Sequence, residues 1–297
     1  MDQSLSEGYL DISGRKIYYN ISGPRSSTEA VVCLHGGPGA THDYLSPLTD
    51  LARFGYKVVL YDQLGCGRSE VPPDDSSYTV DYYVEELEEL RKRLDLGSIH
   101  LFGHSWGGML AIAYALKYQR NLKSLIVSSG LASVPFSVAE TERLVSEMPE
   151  EAQKVLKKDG ESGMADSPEY RKAYQRYFRD QHSCRMKTLP KDWSYTIEHI
   201  NRRIYNVMNG PDDIQITGTL KDWDVSERLA ELEVPCLITV GRYDSLTPNV
   251  AQDIHARVKG SKLVIFEESA HIAMWEEKEK YLSAVKDFLE TVKHTYA

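Results

Sequence analysis

The chain has 297 residues, 41% of them hydrophobic and 27% charged, with a formal net charge of −9. The length suits one large domain or a core carrying an insertion. The acidic balance argues against nucleic acid, which needs a basic face, and no polybasic stretch or apolar run of membrane-spanning length occurs.

The polar start Met1-Asp2-Gln3-Ser4 has no signal-peptide core, so a cytoplasmic protein is expected. Residues 9–12 and 16–21 flank Ser13-Gly14-Arg15 and predict an antiparallel hairpin. Residues 30–34 are a buried strand running into His35-Gly36-Gly37-Pro38-Gly39. A short helix is expected over 48–53, then a buried strand over 56–61 ending in Asp62-Gln63-Leu64-Gly65-Cys66-Gly67-Arg68-Ser69. Residues 80–94 repeat Val84, Leu87, Leu90 and Leu94 at helical spacing. Next come a strand over 99–102, the pattern Gly103-His104-Ser105-Trp106-Gly107, a helix over 109–116 and a strand over 122–127. The rhythm returns late, with strands at 235–240 and 262–266 and helices at 248–258 and 276–292.

Alternating strands and helices predict an α/β fold, a mostly parallel twisted sheet with helices on both faces. The middle lacks strand runs and reads as helices around 138–148, 150–158, 169–178 and 193–208. The expected organisation is a core of residues 1–130 and 221–297 with a helical cap inserted at 131–220. The cysteines Cys33, Cys66, Cys184 and Cys236 show neither C-x-x-C nor zinc spacing, which suits a reducing compartment. No His, Asp or Glu cluster has ligand spacing, so neither metal nor cofactor is expected.

The G-x-S-x-G pattern sits between a strand and a helix, where glycines two positions either side of Ser105 let the backbone turn sharply. A serine hydroxyl needs a base, and the base needs a carboxylate to fix its tautomer. In such sheets the partners follow in the order serine, acid, histidine, each past a strand's end. Asp244 and His271 hold those places. Taken singly, Asp244 also reads as a turn or cap residue before Ser245-Leu246-Thr247-Pro248, and His271 as a helix cap or a buried histidine. Their joint order favours a triad. The oxyanion of acyl transfer needs two amides; the Trp106 and Gly37 N–H groups are placed for it, and Gly36 lets substrate approach the loop.

These segments, with Gly241-Arg242-Tyr243-Asp244, resemble the proline iminopeptidases of the α/β-hydrolase fold over essentially the whole chain. Met208-Asn209-Gly210-Pro211, Ile216-Thr217-Gly218-Thr219 and Lys221-Asp222-Trp223-Asp224 resemble the archaeal tricorn-interacting type of that family. The resemblance implies a serine aminopeptidase releasing N-terminal residues, proline first among them, from short peptides or amino-acid amides. It also implies a functional link to a larger protease. It carries over Ser105, Asp244 and His271 as triad and Gly37 and Trp106 as oxyanion donors. It further implies two acids that hold the substrate's α-amine. Where the tricorn-interacting type has a glutamate after the triad aspartate, this chain has Ser245; where a second follows the Asn-Gly-Pro turn, it has Asp213 beside Asp212. The two aspartates also read simply as turn residues after Pro211. The Glu-Asn-His-Tyr-Phe cap motif of the bacterial branch is absent. A carboxylesterase or acyl-amide hydrolase with the same triad is the alternative, and a non-catalytic scaffold of this fold would show a broken triad.

Overall fold

The computed structural model describes residues 5–296; the polar start at Met1–Ser4 lies outside the described residues. Eight strands form one sheet: β1 (Leu5–Ile12), β2 (Arg15–Ser22), β3 (Ala30–Leu34), β4 (Lys57–Tyr61), β5 (Ile99–His104), β6 (Leu122–Ser128), β7 (Cys236–Gly241) and β8 (Lys262–Phe266). Their order is β1-β2-β4-β3-β5-β6-β7-β8. β1 pairs antiparallel with β2, and β2 antiparallel with β4; every later pairing is parallel. The helices are α1 (Val80–Arg93), α2 (Trp106–Tyr118), α3 (Val134–Ser146), α4 (Glu150–Glu161), α5 (Pro168–Ala173), α6 (Asp180–His182), α7 (Lys191–Glu198), α8 (Arg202–Met208), α9 (Pro248–Arg257), α10 (Ala273–Glu276) and α11 (Lys278–Tyr296).

Every residue of β3 is buried, because both faces of the sheet are covered. Successive side chains alternate faces. Val32 and Leu34 pack with Leu87 and Leu90 of α1 and Leu110 of α2, while Val31 and Cys33 pack with Tyr281, Val285 and Leu289 of α11. Burying each such side chain stabilises the fold by about 1.5–3 kcal/mol. All four cysteines are buried and free. No helix among the described residues is long and apolar enough to cross a membrane.

Helices α3 to α8 lie between β6 and β7, and hydrogen bonds from Glu140, Thr196 and Asn201 are among those that tie them to the sheet's loops. Glu140 of α3 accepts from Thr247 Oγ1 at 2.6 Å and Asn249 Nδ2 at 3.0 Å. Thr196 of α7 meets Thr41 at 2.9 Å. Asn201 donates its backbone N–H to Gly39 O and its side-chain amide to Gly65 O, both at 2.8 Å.

Several elements differ from the sequence pattern. The helix expected over 193–208 is two, α7 and α8, because Asn201 leaves the helical path to cap α8 through Arg203 N and to hold the Gly39 loop. The stretch expected helical over 169–178 is α5 followed by a π-helical turn, Tyr174–Arg179. The last helix breaks at Glu277, whose carboxylate accepts from Glu268 N and Ser269 Oγ. The short helix expected over 48–53 begins earlier, as 3₁₀ turns over Asp43–Phe54. The fold also brings together His42, Asp43 and Asp62, a cluster invisible to spacing. His42 Nδ1 meets Asp62 Oδ1 at 2.8 Å, and Arg68 pairs with Asp43 at 3.1 Å and Asp62 at 3.8 Å. A guanidinium therefore supplies the positive charge there.

Candidate active site

Ser105 joins β5 to α2 with φ 58° and ψ −124°, a strained conformation for a residue with a side chain. Its N–H donates to Ser128 O at 3.0 Å, pinning the turn to the end of β6. The flanking glycines are required by backbone contact. A Cβ on Gly103 would meet Gly107 O at 2.0 Å, and one on Gly107 would meet Leu34 O at 2.3 Å.

Asp244 follows β7 and His271 follows β8, and His271 Nδ1 lies 2.7 Å from Asp244 Oδ1. An ionised carboxylate only accepts, so Nδ1 carries the proton and Nε2 is left with its lone pair. Leu246 N also donates to Asp244 Oδ1, at 2.9 Å, while the buried Oδ2 has no hydrogen-bond partner among the described residues. Burial alone would raise the Asp244 pKa; the His271 charge and hydrogen bond, with the Leu246 amide, hold it below the usual carboxylate value. Burial pulls His271 down, but Asp244 first and Asp213 after it keep the imidazole above its ordinary value. Ser105 and His271 line the same two adjoining cavities. No hydrogen bond joins Ser105 Oγ to His271 Nε2 among the described residues; in unliganded hydrolases this bond commonly tightens only with substrate.

The glycine-rich loop is fixed by two histidines that the sequence motifs contain but whose role spacing does not reveal. His104 Nε2 meets His271 O at 2.7 Å, and a carbonyl only accepts, so Nε2 holds the proton. Burial drives the His104 pKa down to about 3, so the ring is neutral and Nδ1 accepts from Tyr44 OH at 2.8 Å. Tyr44 OH in turn accepts from Gly36 N at 2.7 Å. One chain of hydrogen bonds therefore runs from the glycine loop through the serine turn to the His271 backbone. His35, brought down to about 4 by burial, donates from Nδ1 to Gly36 O and accepts from Gln63 N at 3.0 Å. Gln63 Oε1 accepts from the Trp106 indole at 2.8 Å.

Gly36 N donates to Tyr44 OH, whereas the Gly37 N–H has no hydrogen-bond partner among the described residues. Trp106 is the first residue of α2, where an amide has no carbonyl one turn back within its helix. Both residues line the smaller cavity with Ser105. Gly37 has φ 113°, and a Cβ there would meet Gly39 N at 2.6 Å. Gly36 lines the larger cavity, and a Cβ on it would come within 3.0 Å of the Ser105 Cβ.

Asp213 lies between α8 and β7 and faces both cavities. Tyr205 OH donates to its Oδ1 at 2.5 Å and Tyr174 OH to its Oδ2 at 2.9 Å. Burial and the neighbouring Asp213 charge push both phenols well above their ordinary pKa, so they remain donors. Asp212 is oriented differently: its Oδ1 accepts from Ile214 N and Gln215 N, as a turn aspartate does. Ser245 lines the smaller cavity and is 3.4 Å from Asp244 Oδ1, bringing no charge. The tyrosines carry no sequence signal beyond a tyrosine-rich middle segment.

The sheet order, the strained serine turn and the strand-end histidine and aspartate together define an α/β hydrolase, and residues 29–278 match the family model described as alpha/beta hydrolase fold. The proline iminopeptidase of Saccharolobus solfataricus is 52% identical over 97% of this chain and 94% of its own. The crystal structure of VinJ superposes with a TM-score of 0.92 at 35% identity, covering 97% of this chain and 99% of that one. The proline iminopeptidase structure from Mycobacterium smegmatis gives 0.91 at 27% identity, covering 98% and 100%. Within the α/β hydrolases, the chain belongs to the proline iminopeptidase family.

Proposed function

We propose that this chain is a serine aminopeptidase that releases N-terminal proline from short peptides and amino-acid amides. The single observation carrying the reading is that the His271–Asp244 pair, Ser105 and the tyrosine-held Asp213 open onto the same space. Ser105 Oγ attacks the scissile carbonyl while His271 Nε2 takes its proton. Asp244 orients the imidazole and stabilises its charged form. The Gly37 and Trp106 amides meet the oxyanion. His271 then delivers the proton to the departing amine, and water releases the acyl group by the same route.

The two cavities divide the substrate. The smaller, about 70 Å³, has apolar walls including Met109, Leu131, Val134 and Leu246, and suits a pyrrolidine ring. The larger, about 210 Å³, takes the leaving group. Asp213 faces both, where it holds the substrate's ammonium next to the scissile bond. Residues 131–220 act as the cap that closes this space over the 1–130 and 221–297 core. Peptides small enough to enter are products of a larger protease acting in the same compartment, the cytoplasm, where four unpaired cysteines are stable.

Ser245, standing without charge beside Asp244, favours one second reading: an esterase or acyl-amide hydrolase that does not require the amine. Prolyl arylamide compared with its N-acetyl derivative separates the two. Loss of turnover on acetylation is the expected result; equal turnover overturns the aminopeptidase in favour of the second reading.

A further inference from the structure

The larger cavity contains a positive charge that the chemistry above does not use. Three arginines line it: Arg171, Arg179 and Arg202. Arg171 is ion-paired with Asp166, and Arg202 is exposed and stacks over the Tyr205 ring. Arg179 is half-buried, and among the described residues its guanidinium makes no ion pair or hydrogen bond. A guanidinium on the cavity wall without such a partner is free to meet a carboxylate that enters the cavity.

The local backbone turns this side chain toward the cavity. Arg179 closes the π-helical turn that begins at Tyr174, the residue whose hydroxyl holds Asp213. Five positions along an α-helix would set the two side chains about 140° apart. The wider i→i+5 turn of a π-helix brings the fifth residue closer to the face of the first, and such turns concentrate at functional sites. Both residues line the cavity as a result.

We propose that Arg179 binds the free α-carboxylate of a dipeptide's second residue, making short peptides with a free C-terminus the preferred substrates. This rests on the aminopeptidase reading. With proline in the smaller cavity, its ammonium on Asp213 and its carbonyl at Ser105, the following residue enters the larger cavity. An extended dipeptide spans about 7 Å, and its carboxylate enters the cavity whose wall carries Arg179. Asp213 and Arg179 both line this space, and a carboxylate and a guanidinium sharing one cavity match a zwitterion. A guanidinium offers paired N–H donors to both carboxylate oxygens.

The test compares Pro-Gly with Pro-Gly-amide, which keeps the shape and loses the charge. In the unaltered chain kcat/KM for Pro-Gly should exceed that for the amide by about tenfold, mainly through KM. In Arg179→Met that ratio should fall to near one, and Arg179→Lys should restore part of it. A ratio near one in the unaltered chain overturns the proposal. So does an Arg179→Met variant that slows both substrates alike and keeps the ratio, since that marks a structural role. Prolyl arylamide tells the two failures apart. If it is cleaved while the ratio is one, only the carboxylate site is lost. If no substrate with a free amine is cleaved, the aminopeptidase reading is lost and this proposal with it.

Discussion

Replacing Asp213 with asparagine removes one charge and little else. The side chain keeps its shape, an amide oxygen still accepts from one tyrosine, and the other hydroxyl can rotate to accept from the new NH₂. Under the proposed function, what changes is the partner offered to a substrate ammonium. Two unit charges 4 Å apart attract by about 4 kcal/mol at an effective dielectric near 20, before desolvation is subtracted. The net value of a hydrogen bond to a charged group is about 1.5–3 kcal/mol. For Asp213→Asn, kcat/KM on prolyl arylamide should therefore fall between about tenfold and a hundredfold. An uncharged acyl ester, assayed in the same preparation above pH 8, should lose far less. A second readout follows from electrostatics. In the proposed mechanism neutral His271 is the base, so activity should rise with pH through its pKa. Asp213 is one of the carboxylates that raise that pKa, after Asp244. Removing its charge lowers the pKa and moves the acid limb of the pH–rate profile to lower pH. Equal losses on arylamide and ester, or an acid limb that does not move, would refute the placement of Asp213 beside both the amine and His271.

Gly107→Ala should cost several kcal/mol of stability and most activity, because its Cβ would meet Leu34 O at 2.3 Å and His35 O at 2.7 Å, both backbone atoms; thermal melting and arylamide turnover check this. Tyr44→Phe leaves the Gly36 N–H and His104 Nδ1 without partners in a buried place, a loss of about 1–3 kcal/mol, and should lower kcat more than it raises KM, as steady-state kinetics will read. Glu86 is buried beneath the Asp62–Ser69 loop and accepts from Leu64 N, and burial raises its pKa to about 8. The unfolded chain ionises this group above about 4.5 while the folded one stays protonated, so its contribution turns unfavourable as pH rises from about 4.5 to 8. Glu86→Gln should then raise the melting temperature at pH 8 and do little at pH 4.

The parts of the site set by local backbone were legible in the sequence. Glycines at 103 and 107 bracket a serine because β5 and α2 meet there, and the residues after β7 and β8 fall at one edge because parallel strands share a direction. The parts made by distant partners were not. Nothing in the order of residues says that Tyr174 and Tyr205 converge on Asp213, or that His104 reaches the His271 carbonyl across 167 positions. The break between α7 and α8 is hidden in the sequence for the same reason. Apolar spacing over 193–208 satisfies a single helix, and the Asn201 bonds to Gly39 and Gly65 come from loops far away in the chain. The π-turn at Tyr174–Arg179 likewise leaves no mark on periodicity.

In the proposed mechanism the Ser105 hydroxyl carries the acyl group. Titrating the protein with a fluorophosphonate, mapping the adduct by peptide mass spectrometry and following prolyl arylamide turnover in the same samples tests that step. One adduct per chain on the peptide containing Ser105, with turnover falling in proportion to labelling, is the predicted result. Full turnover with Ser105 labelled, or inactivation tracking an adduct at another residue, would contradict it.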